Sequence, residues 1–214
     1  MNGKIDRRRA RTQAAVLDAA EKLFIQRGYG DTSIDAIAAE ADVAISSIYF
    51  NFEGGKSGLY LALARRAAEL NVEYLAGAYD EKLGTFEQLA AVGDAYAKFH
   101  LENPLALRLL SLNDVDSKGD PMVKEAATDI QSRLQSMLDR QEELVEEALV
   151  EGGNQGVSAT AVTAFLFAAW NGAISMFARG QLSREELAGV LDAGQSLALG
   201  AISTGNARGL VGSA

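Results

Sequence analysis

The sequence predicts an all-α fold: an N-terminal three-helix helix-turn-helix domain, then a C-terminal helical bundle, with about nine helices in total. Three observations carry this. Apolar residues recur at helical spacing along most of the chain, no segment shows the alternation of a strand, and only two prolines, Pro104 and Pro121, interrupt 214 residues.

Residues 1–11 hold five basic side chains, Lys4, Arg7, Arg8, Arg9 and Arg11, against Asp6, and have no apolar periodicity; they read as a polar arm of net charge +4. Thr12 can cap a first helix whose apolar face runs through Val16, Ala20, Leu23 and Phe24 and which stops at Gly28. Gly28 and Gly30 bracket Tyr29, but Ser33 stands where a dinucleotide fingerprint needs its third glycine, and no strand precedes it.

Thr32 or Ser33 caps a second helix, with Ile34, Ile37, Ala38 and Ala41 on its buried face. Ala41, Asp42 and Val43 form a turn, and Ile48 and Phe52 anchor a third helix. Left exposed on it are Ile45, Ser46, Tyr49, Phe50 and Asn51, groups suited to phosphates, base edges and thymine methyls in a major groove. Glu53-Gly54-Gly55-Lys56-Ser57 then looks like a phosphate loop. Phe50 occupies the place of the first Walker A glycine, however, so nucleotide binding is rejected, and Lys56 at a helix start is expected to meet a DNA phosphate.

The formal net charge of −9 opposes nucleic-acid binding until it is divided. Residues 1–56 carry eight basic and eight acidic side chains, so the remaining chain holds all of the −9. DNA repels that acidic body and leaves the neutral head with its basic arm to approach. The absence of cysteine excludes disulfides, thiol catalysis and zinc-finger ligation, and one histidine, His100, leaves little room for metal or triad chemistry. Neither an enzyme, a metal site nor a cofactor is expected. The N-terminus lacks the apolar core of a signal peptide, and no run of about 18 apolar residues free of polar interruption suggests a membrane span; a cytoplasmic protein without a membrane partner is expected.

From Thr12 to Leu59 the sequence resembles the DNA-binding domain of the tetracycline-repressor (TetR) family, on an ordered set: Leu23-Phe24, Gly28-Tyr29, Thr32-Ser33, Ile37-Ala38, Ala41, Val43, Ile48-Tyr49, Phe52, Lys56 and Leu59. The resemblance implies phosphate contacts from Thr32, Ser33, Tyr49, Asn51 and Lys56, and base reading or flanking by Ile45, Ser46, Ser47 and Phe50. It also implies a body that encloses a small-molecule site, with ligand binding altering the separation of two heads. Some positions depart from the family pattern. Ala44 stands where a hydroxyl commonly caps the recognition helix, a loss of about 1 kcal/mol. Asp42 replaces a turn glycine, and Ser46 and Asn51 replace a common glycine and histidine.

A fourth helix over 56–79 is followed by one opening at Thr85, with Gln88 completing a capping box and Leu89, Val92, Tyr96 and Phe99 as its apolar content. Pro104 starts a short apolar segment, Leu105 to Leu112, and residues 113–120 form a loop. Asp120 and Pro121 begin a helix that reaches Glu151 with a densely acidic end. Ser158 to Arg179 is apolar almost all round, and Ser183 with Glu186 opens a last helix with small and apolar residues at near-heptad spacing. A homodimer through a four-helix bundle would bury these faces at Phe165, Ala169, Gly172, Leu187, Leu191, Gly194 and Ala198, the alternative being an ordinary intrachain core. Its two-fold symmetry would present two recognition helices to major grooves about 34–36 Å apart.

Tyr96, Phe99, His100, Trp170, Asn171 and Met176 combine aromatic surface with a few polar groups and are the candidate ligand-lining residues. The expected organisation is an arm and DNA-binding domain over 1–55, a ligand-binding and dimerisation body over 56–205 and a flexible tail over 206–214. The expected function is ligand-responsive transcriptional regulation: a repressor that binds a palindromic double-stranded DNA operator as a homodimer and is released by a small-molecule effector. The alternative is a helical protein-interaction module without sequence-specific DNA binding.

Overall fold

The computed structural model describes residues 2–115 and 120–205, with side chains from residue 7 onward; among these it is helical and contains no strand. The helices of the described residues are α1 (Asn2–Arg27), α2 (Ile34–Glu40), α3 (Ile45–Asn51), α4 (Lys56–Ala76), α5 (Thr85–Glu102), α6 (Ala106–Leu110), α7 (Pro121–Glu151), α8 (Ala159–Ala178) and α9 (Arg184–Ser203). The tail expected over 206–214 lies outside the described residues, as do residues 116–119 of the expected loop.

Two helix starts differ from the sequence expectation. Residues 2–11 of the expected polar arm are helical, and Thr12, instead of capping α1, lies inside it and donates its hydroxyl to the Arg8 carbonyl at 3.1 Å. Lysine, arginine and alanine dominate residues 4–11 and are strong helix formers, so extending an existing helix backwards needs no second nucleus. In α5 the N-cap is Gly84 rather than Thr85, and the carboxylate of Glu87 accepts from the Gly84 N–H at 3.1 Å. A carboxylate is the stronger acceptor at a positive helix end, and Gln88 turns instead to the Leu83 carbonyl at 3.2 Å. The start of α9 keeps its capping box: Ser183 Oγ accepts from the Glu186 N–H at 3.2 Å, and the Glu186 carboxylate accepts from the Ser183 N–H at 2.7 Å.

The chain forms two compact units, one of residues Met1–Ala68 and Arg108–Gln131, the other of Glu69–Leu107 and Ser132–Ala214. The first unit therefore extends beyond the expected break after residue 55 and recruits a distant segment. Its core holds Val16, Leu23 and Phe24 of α1, Ile37 of α2, Ile48 of α3 and Leu59 and Leu63 of α4. Each such side chain contributes about 1.5–3 kcal/mol on burial. Tyr60 packs edge-on against Tyr29, with ring centroids 5.2 Å apart, and its hydroxyl lies 2.7 Å from the Arg108 carbonyl oxygen and 3.0 Å from Asp114 Oδ2. Leu61 is buried with Val123 and Ala126.

In the second unit α9 packs on both α5 and α8. One cluster joins Leu89, Val145, Leu149, Val162 and Ile202; another joins Trp170, Ile174, Leu187 and Leu191. Among the described residues α8 is the one helix long and apolar enough to cross a membrane by length and composition, with a mean hydropathy of 1.5 over 18 residues. The expectation of no such segment rested on polar interruption, which α8 does contain at Thr160, Thr163, Asn171 and Ser175, but no charged residue stands between Ala159 and Ala178. Within this unit α8 instead supplies core: Val162, Thr163, Trp170, Ala173 and Ile174 are buried.

Candidate nucleic-acid interface and body cavity

The α2–α3 corner is built on Asp42, whose φ of +53° gives the left-handed residue that the turn requires. The Val43 N–H then bonds back to the Ala38 carbonyl at 3.0 Å. α3 starts from Ala44 in an extended conformation, with no side-chain cap. With Ile48 fully buried, the opposite face of α3 is left in solvent: Ile45 is 42% exposed, Tyr49 59% and Phe50 76%. Three large apolar side chains exposed on one short helix mark a contact surface rather than a core element. Ser46 is exposed and Ser47 half-buried beside them. The Tyr49 ring lies over Gly55, where a β-carbon would stand 2.9 Å from Tyr49 Cε1, so glycine at 55 sets the pose of that ring.

Arg9 of α1 reaches this surface. Its Nε donates to Asn51 Oδ1 at 3.2 Å, and its guanidinium carbon lies 5.6 Å from the centre of the Phe50 ring. The basic composition of 1–11 flagged the region, but the residue that meets α3 became visible only once those residues were helical. Arg66 joins α4 to α1 through Asp18 at 2.8 Å and through Glu21, bracing the frame that carries α2 and α3.

Several residues expected at phosphates are committed elsewhere. Thr32 is 1% exposed, and its hydroxyl lies 2.7 Å from the Gly28 carbonyl oxygen and 3.3 Å from that of Leu23; it fastens the end of α1 rather than facing outward. Lys56 Nζ donates to the Tyr29 carbonyl at 2.8 Å and to that of Gly30 at 3.2 Å, and sits 4.5 Å from the centre of the Tyr29 ring. Those carbonyls are helix-end acceptors that a cation satisfies, so Lys56 ties the α1–α2 loop to α4. Asn51 donates to the Ser47 carbonyl at 2.7 Å while accepting from Arg9. Ser33 is exposed and caps α2, accepting from the Ala36 N–H at 3.1 Å.

The second unit contains a cavity of about 70 Å³ between α5, α7, α8, α9 and the segment from Leu75 to Tyr79. Of the expected lining residues Tyr96 and Trp170 are there, and Asn171 stands behind, accepting the Tyr96 hydroxyl proton at 2.5 Å. Phe99, His100 and Met176 are not among the lining. Phe99 and His100 are buried in the packing of α5, and Met176 is 40% exposed on the outer side of α8. His100 sits edge-on between Tyr96 and Phe99, at 4.6 and 4.8 Å, with neither ring nitrogen hydrogen-bonded; burial lowers its pKa to about 4. Sequence reasoning missed Leu75, Tyr79, Gln141 and Thr163, which come from three separate segments; only the α5 series Leu89, Val92 and Tyr96 was legible as one face.

Residues 16–63 match the family described as bacterial regulatory proteins, tetR family. They span α1 from Val16, the helix-turn-helix and the start of α4. The likeness to the TetR family in sequence is thus a likeness of this head. Over 63 residues the chain is 32% identical to the HTH-type transcriptional regulator SrpR of Pseudomonas putida and to the uncharacterized HTH-type transcriptional regulator TtgW of the same species. The match takes in 29% of this chain, 30% of SrpR and 47% of TtgW, so it speaks for the head alone. In fold the likeness is longer: a TetR-like transcriptional regulator from Rhodococcus sp. RHA1 superposes with a TM-score of 0.66 at 24% identity, covering 94% of this chain and 97% of the other.

The TetR resemblance also directs attention to the last two helices, where the residues expected at a dimer interface separate into two groups. Phe165, Ala169 and Gly172 of α8 are exposed and form one stripe with Met176. On α9, Leu187, Leu191 and Ala198 are buried within their own chain and Gly194 is half-buried against Trp170. The near-heptad series therefore serves the core of this chain. The uncovered apolar residues of α9 are Val190, 47% exposed, and Leu197, 73% exposed, with exposed Ala193 between them.

Proposed function

We propose that this protein is a TetR-family transcriptional regulator, a ligand-responsive repressor that binds a palindromic operator as a homodimer in the cytoplasm. The observation that carries the reading is the exposed face of α3, where Ile45, Ser46, Tyr49 and Phe50 stand in solvent with Arg9 alongside. Phosphate contact falls to Ser33, Tyr49, Asn51, Arg9 and the N-terminal end of α2, and base contact to Ile45, Ser46, Ser47 and Phe50. Homodimerisation covers the outer stripe of α8 together with Val190, Ala193 and Leu197 of α9, apolar surface that the monomer leaves wet. An uncharged effector in the body cavity favours the form with the wrong head separation, and operator affinity falls by the ratio of its affinities for the two forms.

The test is a titration of genomic DNA fragments at several salt concentrations, with sedimentation of the free protein. Sequence-selective binding that weakens steeply with salt, by a protein that sediments as a dimer at micromolar concentration, is the expected outcome. Binding without sequence preference would return the protein to the reading of a helical protein-interaction module.

A further inference from the structure

The cavity of the second unit has a chemical character that narrows what can fill it. Among the described residues sixteen line it, and none is aspartate, glutamate, lysine, arginine or histidine. Its phenols are neutral as well: burial pushes the Tyr79 hydroxyl up to about 12 and raises that of Tyr96. A charged ligand entering here would lose its hydration with no opposite charge to replace it.

Within this apolar lining most polar side chains are already engaged. The Tyr79 hydroxyl donates to Gln141 Oε1 at 3.2 Å, the Tyr96 hydroxyl donates to Asn171, and Gln195 Nε2 donates to Asp94 Oδ1 at 3.1 Å. Thr163 is the exception. It is 6% exposed, it lines the cavity, and its hydroxyl has no hydrogen-bond partner. A buried hydroxyl left unsatisfied is destabilising, and a threonine can both donate and accept.

We infer that the cavity takes an uncharged, largely apolar molecule bearing one hydroxyl or carbonyl oxygen, and that Thr163 hydrogen-bonds that oxygen. This deepens the proposed ligand response and rests on it for its regulatory meaning, though not for binding itself. Trp170 is the one tryptophan of the chain and lines the cavity, so its fluorescence reports occupancy directly.

The experiment titrates the full-length protein at pH 7 with three six-carbon probes, 1-hexanol, hexanoate and hexylammonium, following Trp170 emission. A saturable change with 1-hexanol, at least ten-fold weaker with either ion, is the expected result. Thr163→Val should weaken 1-hexanol about ten-fold while Thr163→Ser keeps it, and circular dichroism of both variants secures the fold. Equal or tighter binding of an ion, no saturable change with any probe, or an unchanged affinity in Thr163→Val would each overturn the inference. A parallel DNA-release assay separates the two readings. Occupancy by 1-hexanol without DNA release supports the cavity assignment and refutes its regulatory meaning, whereas DNA release by hexanoate alone does the reverse.

Discussion

Arg9 Nε lies 3.2 Å from Asn51 Oδ1, joining the first helix to the end of the recognition helix across 42 positions of sequence. The bond fixes one edge of the guanidinium and leaves its outer nitrogens beside Phe50, where an incoming phosphate would arrive. Arg9→Ala is expected to weaken DNA binding about ten-fold and to lower the slope of log affinity against log salt by about one per head. Fluorescence anisotropy across a salt series measures both. An unchanged slope would remove Arg9 from the DNA contact.

Ala44 occupies an N-cap position with φ −69° and ψ 143°, a backbone already suited to a capping side chain. Ala44→Ser should stabilise the protein by about 0.5–2 kcal/mol by capping α3. Urea unfolding with an unchanged slope on denaturant is the appropriate measurement, and a zero or negative change would show that the missing cap costs nothing here.

Lys56 supplies the cation for two loop carbonyls, so its removal should be felt by the fold before any DNA is present. Lys56→Met keeps most of the stem and is expected to lose about 1–3 kcal/mol. Were the free protein as stable as before and only DNA binding weakened, Lys56 would be a phosphate contact after all.

His100 is neutral in the folded state down to about pH 4, whereas in the unfolded chain it gains a proton near pH 6.5. The folded pKa is the lower one, so the unfolded state binds more protons between these values. Stability from this group is complete above about pH 6.5 and is lost as pH falls towards 4, by on the order of 3 kcal/mol. His100→Phe should flatten that part of the curve relative to the parent, as read from urea midpoints at pH 7, 6, 5 and 4.

Leu197 and Leu187 lie on the same helix and should behave oppositely. Leu197, 73% exposed, is expected to tolerate glutamate in the fold while the dimer dissociates on sedimentation. Leu187 is fully buried, and Leu187→Ala should cost about 2–5 kcal/mol of stability. Dimerisation that survives Leu197→Glu would place the interface elsewhere.

These contrasts also show what the sequence could reveal. The starts of α7 and α9 were legible because their signals are local: Pro121 at a first turn, and Ser183 with Glu186 as a reciprocal pair. The turn at Asp42 was legible for the same reason, and the bare cap at Ala44 from the resemblance to the TetR pattern. The reach of α1 to Asn2 was not, since a polar helix without an apolar stripe leaves no periodic trace. Periodicity identified Leu187 and Leu191 as one face of α9 but cannot say which surface covers it, and Trp170 of the same chain does. Thr32 and Lys56 illustrate a third limit. Their partners are the carbonyls of Leu23, Gly28, Tyr29 and Gly30, acceptors that every residue carries and that no residue-type pattern can flag.

The discontinuous make-up of the first unit bears on how such proteins could trade parts. A recombinant joined after residue 55 would inherit a foreign α4 together with foreign counterparts of Arg108, Asp114, Val123 and Ala126, the partners that hold Tyr60 and Leu61 here. Those contacts would arrive intact, and the joint would fall instead between the moved α1–α3 and the foreign α4, where Tyr60 here meets Phe24 and Tyr29. A single crossover there would ask a foreign α4 to fit Phe24 and Tyr29, whereas substitution at Ile45, Tyr49 or Phe50 on the exposed face of α3 leaves that aromatic contact untouched.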